Sequence, residues 1–179
     1  MNGNHLWRTK TYLVGKMHGE DTGWREMITP RLEKMGVIVI NPLEKPFVRD
    51  VQESQDARNE LLKKRESEDF DYLEKKMREI RSYDLACVDK SDFICSHLDP
   101  HEASWGSGEE LVTAVRMKKP IFLSIKGGKK RTPLWIFGML PHRYIYDSPE
   151  QIADTLEKIN SGKIEMDSMR WKLFKKEYR

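Results

Sequence analysis

Cysteine is scarce in this chain: Cys87 and Cys95 are the only two among 179 residues. They lack paired spacing, so a disulfide framework is not expected and a reducing cytoplasm is the expected setting. No run of about eighteen apolar residues exists, so no membrane-spanning helix is expected. The polar start, Met1 to Lys10, has none of the apolar core of a secretion signal. A clear excess of positive charge is also missing. The 32 Lys+Arg stand against 29 Asp+Glu, a net of +3, which argues against a dedicated nucleic-acid binder.

What is abundant is charge of both signs. Charged residues make up 34% and hydrophobic ones 38%, with a mean hydropathy of -0.72. The length fits one well-buried domain, 1–179. The charge is unevenly spread: Lys126 to Arg131 carries +4 and Lys163 to Arg179 carries +3, leaving -4 on the remainder.

Apolar runs of strand length occur at Tyr12–Gly15, Val37–Ile40, Asp92–Cys95 and Pro120–Ile125, with a short one at Tyr144–Tyr146. Between the first two, Trp24, Met27, Ile28, Leu32 and Met35 recur at helical spacing. Asp21 or Thr22 is suited to cap that helix, and Gly36 to end it. A second helix is predicted over Gly108 to Lys118. Ser148-Pro149-Glu150-Gln151 reads as a capping box opening a third helix, Ile152 to Ile159, which stops at Gly162. Continuous apolar strands alternating with helices predict a three-layer α/β domain with a parallel sheet of about five strands.

Residues 44–82 stand outside that alternation, with 10 Lys+Arg and 11 Asp+Glu in 39 positions. Leu61, Leu62, Leu73, Met77 and Ile80 suit one or two amphipathic helices with a break near Glu66 to Asp69. Such a charged insertion reads as a solvated helical hairpin, or as a lid or oligomer arm beside a site. The tail, 163–179, carries Met166, Met169, Trp171, Leu173 and Phe174 and is expected to pack on the body.

In open parallel sheets, ligands sit beyond the carboxyl ends of the strands. That nominates the segment Gly15 to Gly19, the loop after Ile40, His97 to Gly108, and Lys126 to Arg131. Gly106 and Gly108 are suited to a tight entry into a helix, with free N–H groups facing the ligand. Glu109 and Glu110 would fall in that helix's first turn, where the dipole favours ionised carboxylates. Such a carboxylate suits a nucleophile toward an electrophilic sugar carbon, though capping is the plainer role. Asp84 lies late in a helix, and its plainer role is a salt bridge to Arg81 or Lys90. His97 and His101 flank Asp99-Pro100, which precludes one helix presenting both to a metal, and no metal is expected. Gly127 to Arg131 lacks the ending of a phosphate-binding loop and reads as a solvated turn.

Several of these elements, in order and spacing, resemble the nucleoside 2-deoxyribosyltransferase family. They are Tyr12-Leu13-Val14-Gly15, Asp84-Leu85, the step Asp89-Lys90-Ser91-Asp92, and Gly106-x-Gly108-x-Glu110-Leu111 followed by Lys118-Lys119-Pro120-Ile121. The resemblance spans roughly Tyr12 to Leu123, with a looser echo from Trp135 to Ile152. It implies a flavodoxin/Rossmann-like fold and an enzyme that cleaves or transfers the N-glycosidic bond of 2′-deoxynucleosides or their 5′-monophosphates. Glu110 takes the place of the nucleophile that attacks C1′. Asp84 takes that of an aspartate near base and sugar.

The family's hydrolase branch acts on deoxynucleoside 5′-monophosphates. Tyr12 and Ser104 match that branch, Ser104 at the 5′-phosphate. Lys16 and His18 stand where it has serine and arginine. The transferases' late asparagine, supplied by a neighbouring subunit, has no counterpart, and the nearest position is close to His142. The resemblance therefore implies substrate contacts from Tyr12, Gly15, Lys16, His18, Ser104, Gly106 and Gly108. It implies no cofactor, and a homo-oligomer. A non-catalytic nucleotide or nucleotide-sugar sensor of the same fold is the competing expectation.

Overall fold

The computed structural model describes residues 4–16, 23–43, 55–102 and 105–174. Its sheet holds five strands: β1 (Lys10–Gly15), β2 (Ile38–Ile40), β3 (Phe93–Leu98), β4 (Ile121–Ile125) and β5 (Ile145–Tyr146). Their order is β2-β1-β3-β4-β5 and every neighbouring pair is parallel. This is the flavodoxin-like winding, in which the chain reverses its direction of travel across the sheet between β1 and β3.

The central strands β1, β3 and β4 form because their residues are buried on both faces, which the two-residue alternation makes explicit. Leu13, Phe93, Cys95 and Phe122 join one core with Trp24, Ile28 and Leu32 of α1 (Trp24–Lys34) and Ile152 and Leu156 of α6 (Pro149–Asn160), which follows the short α5 (Leu134–Met139). Tyr12, Val14, Ile94 and Leu123 point the other way. They pack with Cys87 and Val88 of α3 (Phe70–Lys90) and Leu111 and Ala114 of α4 (Trp105–Arg116). Burying each large apolar side chain contributes about 1.5–3 kcal/mol. Residues 163–174 complete the first core. Trp171 is buried against Tyr144, ring centroids 4.0 Å apart, and Phe174 packs beside it. Cys87 and Cys95 are buried and form no disulfide.

The charged insertion contributes α2 (Gln55–Glu66), which packs on α3 and buries none of its own residues. Glu68, at φ 57, reverses the chain between them, and Asp69 caps α3 by accepting from the Tyr72 N–H at 3.3 Å. Among the described residues, no helix is long and apolar enough to cross a membrane.

Three local expectations change. The residue capping α1 is Gly23, without a side-chain bond; Asp21 and Thr22 lie outside the described residues. At α6, Ser148 occupies the cap position and Pro149 the first helical one, but Ser148 makes no capping bond. Gln151 instead accepts from the Asp147 N–H at 3.1 Å, one residue before the box would place it. Helix α4 starts at Trp105, three residues before Gly108, so Gly106 and Gly108 are helical rather than turn residues. Its buried stripe of Ser107, Glu110, Leu111 and Ala114 already begins at Ser107, so packing sets the start. The two glycines cost roughly 1 kcal/mol each in helix propensity. Glu109 and Glu110 consequently fall in the second turn, where the helix dipole has largely faded.

Candidate active site

A cleft of about 620 Å³ opens at the carboxyl ends of β1 and β3, between α3 and α4. This is the switch point of the winding, and it follows from connectivity: β1 and β3 send their chains to opposite sides, leaving a gap. Gly15 and Lys16 close β1 there, and Leu98 and Asp99 close β3. Gly15 is required by close approach, since a Cβ on it would stand 2.6 Å from the His97 carbonyl oxygen of the paired strand. Arg25 of α1 is buried beneath this strand end and donates to the Gly15 and Lys16 carbonyls, both at 2.8 Å.

At the cleft floor the Tyr12 hydroxyl donates to Glu110 Oε1 at 2.8 Å. Both side chains are buried, Glu110 at 8% exposure. Tyr12 reaches this point because its position in β1 turns it toward α3 and α4. Burial raises its pKa far above the ordinary tyrosine value, with Glu110 and then Asp84 adding to the effect. Its proton is therefore fixed, and the hydroxyl acts as a donor to the carboxylate. Asp84 lines the same floor from α3.

The walls carry paired charges. Lys16 Nζ contacts Glu102 Oε1 at 2.7 Å, and Arg81 grips Glu109 with two nitrogens, Nε to Oε2 at 2.8 Å. Arg81 thus pairs with Glu109 across the α3–α4 seam, in place of the expected partner Asp84. That contact holds the Glu109 carboxyl below its ordinary pKa. Asp99 is likewise held low, by the His101 N–H and then by Lys126. Lys126 lies 3.1 Å from Asp99 Oδ2, which sets the basic turn after β4 beside the cleft.

Tyr12, Gly15, Lys16, Asp84, Gly106 and Glu110 are thus brought together. Gly108, on α4, is exposed and does not line the cleft. His18 and Ser104 lie outside the described residues. His142 is exposed on the turn before β5, where its carbonyl accepts from Lys129, away from this cleft. His97 is buried and bonded through Nδ1 to Ser124 at 2.9 Å, whereas His101 is exposed and meets Arg131.

Sequence reasoning gave no place in the cleft to the lining residues Arg58, Met77 and Ile80, whereas Trp105 falls within the nominated segment His97 to Gly108. The spacing of Met77, Ile80 and Asp84 along one helical stripe was the available signal.

The fold is an α/β flavodoxin-like one with a deep carboxylate-bearing cleft at its switch point. No family model and no curated protein matches the chain. Among solved structures, it is similar to the CMP N-glycosidase BcmB of Clostridium botulinum. The two are 18% identical with a TM-score of 0.47, over 83% of this chain and 98% of that one.

Proposed function

We propose that this protein cleaves the N-glycosidic bond of 2′-deoxynucleoside 5′-monophosphates, with Glu110 as nucleophile and Asp84 as proton carrier. The observation that carries this reading is the buried Glu110 carboxylate held by the Tyr12 hydroxyl at 2.8 Å on the floor of a cleft that Asp84 shares. A hydrogen bond to a charged group is worth about 1.5–3 kcal/mol and fixes the carboxylate for attack on one carbon.

In the first step the Glu110–C1′ bond forms as the C1′–N bond breaks. The electron pair leaves with the base, which takes its proton from Asp84. In the second step water attacks C1′, its proton passes to Asp84, and Glu110 is released as carboxylate. A second free base in place of water makes the reaction a transfer. The N-terminal end of α4, with Gly106 in the cleft and Lys16 nearby, suits the 5′-phosphate, because the positive end of the helix dipole favours an anion.

The oligomer is part of the proposal: Trp105, Leu134 and Trp135 are 91%, 87% and 83% exposed, apolar surface that a second copy would cover. Sedimentation at micromolar concentration checks it; a monomer throughout would remove the oligomer from the proposal.

The test is incubation with each deoxynucleoside and its 5′-monophosphate, with and without a second free base, followed by chromatography of the bases. Release that depends on the 5′-phosphate and on Glu110 is expected. Base exchange would identify a transferase. Release that persists in Glu110→Ala, or none from any substrate, would leave the sensor reading in place.

A further inference from the structure

Among the described residues, three cations line the cleft: Lys16, Arg58 and Arg81. Lys16 is neutralised by Glu102 and Arg81 by Glu109. Among the described residues, the Arg58 side chain makes no hydrogen bond and no ion pair. Of the described lining cations, it is the one whose side chain has no partner among the described residues.

Arg58 comes from α2, a helix that buries nothing of its own. Leu61 and Leu62, three and four residues further on, are half-buried, so Arg58 shares the face of α2 that carries its apolar contacts. On α3, Met77, Ile80 and Asp84 form one stripe, and all three line the cleft. At 1.5 Å of rise per residue, Met77 stands about 10 Å along the wall from Asp84. That length accommodates a nucleobase lying against Met77 and Ile80 with its glycosidic nitrogen near Asp84.

We infer that Arg58 selects the base: the α2–α3 insertion carries the guanidinium that reads a nucleobase presenting an oxo group beside a ring nitrogen, as guanine and cytosine do. The inference rests on the glycosidase reading for the position of C1′ at Glu110 and of the departing nitrogen at Asp84. With the 5′ side of the sugar at α4, the base extends along α3 toward α2. A guanidinium has five N–H donors and no acceptor. It pairs in bidentate fashion with an oxo oxygen and an adjacent ring nitrogen. Adenine instead presents an amino donor beside its ring nitrogen, and two donors facing each other leave a polar group unsatisfied. As the C1′–N bond breaks, the pair leaving with the base spreads onto the oxo oxygen, where the same donors stabilise it.

The experiment compares the parent with Arg58→Met and Arg58→Gln on dGMP, dCMP, dAMP and the matching nucleosides. The Arg58 side chain is itself exposed, so both variants are expected to fold, which thermal melting checks. In the parent, kcat/KM for dGMP or dCMP is expected to exceed that for dAMP by about tenfold or more. Arg58→Met is expected to lower the oxo-base values about 10- to 100-fold, to change dAMP less than about threefold, and to leave the nucleotide-to-nucleoside ratio unaltered. An equal loss on all bases would overturn the inference. So would collapse of the nucleotide-to-nucleoside ratio, which would make Arg58 a phosphate ligand.

Calorimetric binding of the same three nucleotides to the parent and to Glu110→Gln, each with and without Arg58→Met, separates the two readings. If no base is released but binding selectivity is present and vanishes with Arg58, the glycosidase reading fails and the base-reading role stands. Equal binding of all three nucleotides by the parent would sink the role of Arg58 whatever the catalytic result.

Discussion

The Tyr12 hydroxyl and Glu110 Oε1 lie 2.8 Å apart, and they join the central strand β1 to helix α4 at the floor of the cleft. Burial and the neighbouring carboxylates keep the phenol protonated, so the bond has a fixed direction, from tyrosine to glutamate. In Tyr12→Phe the buried carboxylate loses that donor while the ring still fills its place in the core. We expect kcat to fall about 10- to 100-fold, corresponding to about 1.5–3 kcal/mol. KM should change little, because the bond does not reach the substrate. Steady-state kinetics with a thermal melt check this. An unchanged kcat in a folded variant would remove Tyr12 from the site.

Neighbouring glutamates on α4 provide an internal comparison. Glu110 is buried on the cleft floor, whereas Glu109 is at the rim in a bidentate grip with Arg81. Glu110→Gln is expected to lower kcat by more than about a thousandfold, the scale for loss of a nucleophile that acts in concert with other groups. Glu109→Gln is expected to stay within about threefold of the parent, because an exposed pair contributes little. Equal losses in both variants would show that the negative charge of the cleft, rather than one carboxylate, is what matters.

Trp171 is the largest fully buried side chain of the described residues, yet it belongs to the tail after the last helix. Its ring meets Tyr144 at 4.0 Å and Phe122 at 6.2 Å between centroids. Trp171→Ala should cost about 3–5 kcal/mol of unfolding free energy, the range for emptying a large aromatic site. Urea denaturation measures it, and a cost below about 1 kcal/mol would mean that the tail docks loosely. Activity per folded molecule should hold, since this core lies across the sheet from the cleft.

The strand pattern was legible because parallel strands covered on both faces read as near-continuous apolar runs, as Tyr12 to Gly15 and Ile121 to Leu123 do. The break between α2 and α3 was legible from Glu66 to Asp69, where the amphipathic spacing lapses and Asp69 supplies a cap. The start of α4 was misplaced because Gly106 and Gly108 oppose a helix locally while Ser107, Glu110 and Leu111 require one in the packed structure. Arg58 was not legible at all. Its place in the cleft depends on how α2 folds back onto α3, a tertiary contact that no local spacing encodes. The pairing of Arg81 with Glu109 was hidden in the same way, because Asp84 was the nearer carboxylate in sequence.

Alkaline stability follows from three buried acids. Burial pushes the Cys95 thiol up to about 12 and the Tyr146 phenol up to about 12, while Tyr12 is raised further still. Each native pKa lies above its unfolded value, so the native state holds protons that the unfolded chain releases. Their contribution is full below about pH 9, where the unfolded chain is still protonated, and declines as pH rises from there toward 12. Each group that has ionised only in the unfolded chain adds a slope of about -1.4 kcal/mol per pH unit. Unfolding free energy measured by urea from pH 7 to 11 should be level through the neutral range and fall with increasing slope above about pH 9. Tyr146→Phe should make that fall shallower at pH 10 to 11. A parent profile flat to pH 11, or an unaltered slope in Tyr146→Phe, would show that these groups ionise as readily in the folded protein as in the unfolded one.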